Sequence, residues 1–332
     1  MDRLDARLDE WERKLERRLS ATEGNPQGQT PTHRTLARAP AALSSQGTVR
    51  RPERPAFRLG TLTVQEGASL APGLETSVED LLQLAAWVFN APHVQTNEQY
   101  RRITGEVRFL PDLEDPTINA YAGLFELDGE TGVVPCIVLL GGAVRFSRLA
   151  ALAVAADRRP TRSIGAPNML RRLIGVLGPR IVETQGRLDS PTATDLAHAA
   201  GLEGPAADNA IERLARSLAA GMNIGVIAHE LGHHALGHTL GVALNPSISR
   251  NQEREADSFA ASVISSSPFA DYLVIGPILW NLLWVWCEHA AGFSVATTHP
   301  LARERLMDFV RANAETAAEL GFDEKNLAAL LP

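Results

Sequence analysis

Residues 227–238 read I-A-H-E-L-G-H-H-A-L-G-H, and the spacing within this run constrains the fold more than any other part of the chain. Residues four apart on a helix share a face, so His229 and His233 can both reach one metal ion. Glu230 lies one step round and points at the open coordination position of such an ion. The apolar residues before and between these polar ones give the motif an apolar helical background. Composition alone would place His-Glu-x-x-His in about one chain in a hundred of this length, so the motif is informative but needs a third ligand.

A catalytic zinc takes three protein ligands and a water, whose proton a nearby carboxylate removes. The pattern that adds a later histidine requires Gly and His at positions held here by Leu236 and Thr239, so it is absent. The segment Asn251-Gln252-Glu253-Arg254-Glu255-Ala256-Asp257 offers carboxylates instead. Glu253 and Asp257 lie one helical turn apart, so one can bind zinc while the other accepts a hydrogen bond from a ligand histidine. Glu253 is read as the ligand and Asp257 as the hydrogen-bond partner, with Glu255 as the substitute. Between the two helices, GVALNPSISR contains Gly241 and Pro246 and suits a reversal between packed antiparallel partners.

The rest of the chain places this helix in context. Leu4, Leu8, Trp11, Leu15 and Leu19 form one stripe, predicting an amphipathic helix over residues 1–21 that is capable of self-association. Residues 22–56, rich in Pro, Ser, Thr and Arg, read as a flexible linker. The globular domain would then occupy 57–332. Residues 1–58 carry 12 Arg or Lys against 8 Asp or Glu, whereas the remainder carries 20 against 31, so the tail is basic and the domain acidic. With a net charge of -7 the whole chain carries no strong nucleic-acid signal.

Ser77 and Asp80 sit in capping-box positions before a helix running to Phe89. Strand-like runs follow at 105–110, 118–127 and 133–140, the last two joined by the turn sequence DGETG, and from Leu149 the pattern becomes helical. The expected class is α+β, mainly helical with a small, mostly antiparallel sheet beside the motif helix. Cys136 and Cys287 lie in apolar runs and read as buried thiols in a reducing, cytoplasmic setting. The most apolar stretch, 272–287, is short for a membrane span. It reads as a core helix, with Trp280, Trp284 and Trp286 as anchors should it make peripheral membrane contact.

These motifs together resemble the gluzincin metallopeptidases, and most closely the HtpX, BepA and CAAX prenyl protease family. HELGHHALGH, EREAD and TTHPLARERL match that family's zinc helix, its third-ligand helix and its later His-Pro segment, in the same order. The resemblance implies a zincin-like fold, zinc on His229, His233 and Glu253, Glu230 as general base, and a protein or peptide substrate. It also implies that His299 stands near the zinc, as a transition-state donor or a fourth ligand, with Arg303 or Arg305 anchoring its segment. INAYAG at 118–123 is similar to the family's edge strand, which implicates Asn119 and Tyr121 in substrate binding. Residues 150–224 are longer than the family's usual connection and read as an inserted helical region. The 20-residue gap from His233 to Glu253 resembles ImmA/IrrE-like metallopeptidases, and Lit-type peptidases are a further comparison.

The expected activity is therefore zinc-dependent endopeptidase, either general or specific for one intracellular protein. The alternative is a non-catalytic zinc-binding regulatory module, closed by His299. His238, at the end of the motif helix, reads as a hydrogen-bonding residue and not a ligand, while His33, His93, His198 and His289 receive no role.

Overall fold

The computed structural model describes residues 76–127, 131–158, 169–240, 246–290, 292, 300–319, 322–328 and 331–332. The expected N-terminal helix and linker, and His299, lie outside these residues. The described chain opens on the capping box at Ser77, whose hydroxyl accepts the Asp80 backbone N–H at 3.0 Å and starts α1 (Val78–Phe89). Two short helices follow, α2 (Pro92–Gln95) and α3 (Glu98–Glu106), the second capped by Asn97.

Three strands come next: β1 (Arg108–Asp112), β2 (Ala120–Glu126) and β3 (Val133–Leu140). Their order is β1-β3-β2, with β1 parallel and β2 antiparallel to β3. The sheet is thus mixed, not mostly antiparallel. The connection after β1, turned by Asp112 and Asp115 side chains that accept nearby backbone N–H groups, carries β2 to the far side of β3. The β2–β3 hairpin then returns β3 along the direction of β1. β3 is buried from Cys136 to Leu140, as a near-continuous apolar run in a central strand should be. The first strand begins at Arg108 and not at Gly105, because α3 continues through Glu106.

β3 runs straight into α4 (Gly141–Arg158), eight residues before the helical pattern becomes obvious in the sequence. Gly141 and Gly142 allow this junction, since a Cβ at either position would overlap the backbone carbonyl of Leu113 or Pro116. Then come α5 (Met169–Glu183), α6 (Ser190–Ala200) and α7 (Glu203–Ala206). Asp208 caps α8 (Asn209–Ala235), a 27-residue helix about 40 Å long that is buried over most of its length. After a 3-10 turn at His238–Leu240 come α9 (Pro246–Ser265), α10 (Ala270–Leu273), α11 (Ile275–Ala290), α12 (Ala302–Ala312), α13 (Ala314–Glu319) and α14 (Glu324–Ala328).

α8 is the axis of the molecule. It is apolar almost all round because α4, α9, α11 and the sheet cover it on different sides. Residues 150–224 share this core: Leu152, Leu173, Leu177, Leu188 and Leu202 are each at most 1 % exposed. The apolar segment after residue 272 forms α11, which crosses α8 where Gly221 and Gly276 bring the two backbones together. The rings of Trp280 and Trp284 pack on buried Phe146, with centroids 5.1 and 5.7 Å away. Among the described residues, no helix is long and apolar enough to cross a membrane. Cys136 and Cys287 are free and buried, and burial pushes their thiols up to about 11 and about 12.

Candidate metal centre

His229 and His233 lie one turn apart near the C-terminal end of α8, with ring planes nearly perpendicular and their Nε2 atoms 3.2 Å apart. α9 runs antiparallel alongside, since its residues meet progressively earlier positions of the preceding chain: Glu255 meets His238, and Asp257 meets His229. Gly232 permits the close approach. A Cβ there would stand 3.1 Å from the Ala256 Cα and 3.2 Å from the Ala256 carbonyl and the Phe259 Cβ. The glycine between the two histidines therefore sets how near the third carboxylate can come.

That carboxylate is Glu253, which is buried. One of its oxygens lies 3.3 Å from His229 Nε2 and the other 3.5 Å from His233 Nε2. Tetrahedral zinc bonded to nitrogen and oxygen at about 2.0–2.1 Å requires ligand atoms about 3.3 Å apart. The two imidazole nitrogens, 3.2 Å apart, meet that requirement, and Glu253 sets one oxygen 3.3 Å from the first and its other oxygen 3.5 Å from the second. Among the described residues, His229, His233 and Glu253 are the His, Cys, Asp and Glu side chains grouped closely enough to hold a metal ion.

Asp257 accepts the Nδ1 hydrogen of His229 at 2.8 Å, so Nε2 is the nitrogen that faces Glu253 and would meet a metal once its own proton is lost. Arg305, on α12, donates to the same carboxylate twice, at 2.8 and 2.7 Å. Burial opposes charge on Asp257, yet Arg305 and His229 hold it well below the usual carboxylate range. Burial likewise opposes charge on His229, but Asp257 and then Glu253 outweigh it and raise the imidazole to about 10. Burial, and then the charge on His229, push His233 down to about 3. The site thus holds one ring proton strongly and leaves its other imidazole neutral.

Glu230 is buried beside the sheet, where the Ala122 backbone on β2 favours its charged form. Burial, and then the neighbouring Glu253, raise its pKa. The site opens into a cavity of about 700 Å³ between β2, α8 and α11. Asn119 and Tyr121 line one wall, while Trp280, Trp284 and Glu288 line another. β2 is an edge strand. The Asn119 carbonyl accepts the Leu140 N–H, so the alternation of backbone groups turns Ala120, Ala122 and Leu124 away from β3, toward the cavity side.

Arg303 is exposed and does not reach Asp257; that contact is made by Arg305, two residues on. Helical phase explains the difference, because the buried positions Ala302, Leu306 and Phe309 place residue 305 on the inner face and residue 303 on the outer one. Glu255 stands outside the metal group and accepts a hydrogen bond from His238 Nε2 at 2.9 Å. His234, without a role in the sequence reading, donates from Nε2 to the Cys136 carbonyl at 2.9 Å and ties the motif helix to β3. Nothing in the local spacing signals that pairing, because the partner is a backbone group 98 residues away.

Residues 204–320 match a family model described as Peptidase U49. This segment contains α8, α9 and α12 and hence every residue of the metal group, its Asp257 and Arg305 partners, and Glu230. No curated protein and no solved structure matches the chain. The match supports a peptidase.

Proposed function

We propose that the chain is a zinc-dependent endopeptidase of the gluzincin type. The observation that carries this reading is the donor set His229, His233 and Glu253, grouped closely enough to hold one metal ion beside a buried carboxylate and an open strand edge. Zinc held by these three residues supplies Lewis acidity to a peptide carbonyl and lowers the pKa of water. The remaining work falls to the chain itself. Glu230, buried beside β2, takes a proton from the attacking water and returns it to the departing amine nitrogen. Its raised pKa suits both transfers, since a carboxyl that binds a proton more tightly is the better base and can keep that proton until the amine departs.

The outward backbone groups of Ala120 and Leu124 suit an extended peptide added along β2, with the peptide lying across the cavity beside Glu230. Asn119 and Tyr121 would flank that peptide. Trp280 and Trp284 would meet side chains on its far side.

Metal content by mass spectrometry, together with cleavage of casein and a peptide library, tests the proposal. Wild type and Glu230→Gln should each carry one zinc per chain, Glu253→Ala should carry none, and Glu230→Gln should lose cleavage. Unchanged turnover in Glu230→Gln overturns the role of that residue. A wild type that carries zinc yet cleaves nothing, with or without His299→Ala, overturns the peptidase reading in favour of a structural zinc module.

A further inference from the structure

The two imidazoles of the metal group are not held in the same way. His229 gives its Nδ1 hydrogen directly to Asp257, which Arg305 clamps. The Nδ1 atom of His233 faces another imidazole instead, His238 Nδ1 at 3.1 Å, and His238 Nε2 in turn faces Glu255 at 2.9 Å. Resting on the metal-site reading above, we propose that His238 and Glu255 form a second orienting chain, which fixes the tautomer and rotation of His233.

The proton count along the chain is determined. A hydrogen bond between two ring nitrogens needs one proton, not two and not none. For His233 to turn a lone pair on Nε2 toward Glu253 and His229 Nε2, its ring proton must sit on Nδ1. His238 must then accept with Nδ1 and carry its own proton on Nε2. Glu255, as a carboxylate, is acceptor only, so it selects that tautomer of His238 and no other. Each group specifies the next, and the series ends on the nitrogen facing the metal position.

The backbone is shaped to make this contact. α8 ends at Ala235 with Leu236 as its C-cap, and Gly237 adopts the left-handed conformation, φ +77°, that lets the chain double back. His238 therefore lies over the last turn with its side chain only 8 % exposed. The spacing of His233, Gly237 and His238 follows from that geometry. Glu255 is 62 % exposed at its side chain, so this chain is anchored more loosely than the Asp257 one. His233 is accordingly the imidazole more sensitive to loss of its partner.

The experiment measures zinc affinity by competition with a chromophoric chelator, and the visible spectrum of the cobalt-substituted protein, for the full chain. His238→Leu should weaken zinc binding about 10–100-fold and shift the cobalt bands, in line with the loss of other hydrogen-bond partners of metal ligands. His238→Gln restores a carbonyl acceptor and should recover most of the affinity; it also serves if the leucine variant fails to fold. Glu255→Ala should weaken binding about threefold to tenfold on its own but add nothing in the His238→Leu background, because its effect passes through His238. Wild-type affinity in His238→Leu, or additive losses in the double variant, overturns the proposal. Failure of the metal-site reading is distinguishable, since it would show as a wild type without zinc or a Glu253→Ala variant that keeps it.

Discussion

Arg305 grips Asp257 with two parallel hydrogen bonds, Nε to Oδ2 at 2.8 Å and Nη2 to Oδ1 at 2.7 Å, and thereby fixes the carboxylate that receives the His229 proton. A lysine can supply the charge but not the planar fork. Arg305→Lys should therefore lower zinc affinity roughly tenfold while costing about 1–2 kcal/mol of stability, because both side chains are only partly buried. Asp257→Ala should do more on both counts, about 10–100-fold in affinity and about 2–4 kcal/mol, since it strands the guanidinium among protein groups. Chelator competition and urea denaturation measure the two effects separately. Arg305→Lys with unchanged zinc affinity would show that the arginine serves the fold alone.

Protonation of His229 gives opposite pH dependences for stability and metal binding. Its pKa of about 10 in the metal-free fold lies above the ordinary histidine value, so the stabilisation it confers is complete below about 6.5 and is lost as pH rises toward 10. Metal-free protein should therefore unfold at progressively lower temperature as pH is raised through that window. Zinc must displace the same proton, so its apparent affinity should rise about tenfold per pH unit over the range. Calorimetric titration in two buffers of different ionisation enthalpy counts the released proton. A pH-independent affinity, with no proton released, would remove His229 from the ligand set.

Glu230 is the reverse of Asp257, for its pKa is raised because burial opposes its charge. Such a group favours the fold below its unfolded pKa and withdraws that contribution as pH climbs through the raised folded value. At neutral pH the burial of Glu230 thus works against the metal-free fold, and Glu230→Gln should raise its melting temperature by about 2–4 °C. The acid limb of the wild-type pH–rate profile should fall above the ordinary glutamate range. Scanning calorimetry at pH 7 and pH 4 checks the first expectation: the gain should shrink at the lower pH.

How much of this was legible in the sequence depended on the distance over which each relationship acts. Helical phase alone brought His229 and His233 to one face with Glu230 one step round, and the one-turn step from Glu253 to Asp257 allowed one carboxylate to face the metal and the other a histidine. Phase could equally have chosen Arg305 over Arg303, since Ala302, Leu306 and Phe309 mark the inner face of α12. The parallel pairing of β1 with β3 was hidden, because it depends on where the loop after Asp112 deposits β2, and turn residues do not encode which side of a strand is taken. The His233–His238 contact was hidden for a different reason. It crosses the end of a helix, where periodicity stops and a left-handed glycine sets the direction.

The glycines of α8 and its neighbours separate packing of the fold from geometry of the site. At Gly276 an added Cβ would overlap the backbone of Gly221 and Met222, which cannot rotate away, so Gly276→Ala should cost about 2–4 kcal/mol by forcing α8 and α11 apart. That crossing lies about two turns from His229, and the folded fraction should still bind zinc normally. At Gly232 the nearest atoms are 3.1–3.2 Å away, so α9 need move only a few tenths of an ångström. The same small movement carries Glu253 away from the histidines, whose Nε2 atoms stand 3.2 Å apart. Gly232→Ala should thus lose roughly tenfold in zinc affinity for about 1 kcal/mol or less in stability. Gly175, in α5 with nothing within 4 Å of its added Cβ, supplies the control: Gly175→Ala should stabilise by about 0.5–1 kcal/mol through helix propensity and leave zinc binding unchanged. Denaturation midpoints and zinc titrations on the three variants read both quantities, and a Gly232→Ala variant with wild-type zinc affinity would show that the helix spacing does not set the position of Glu253.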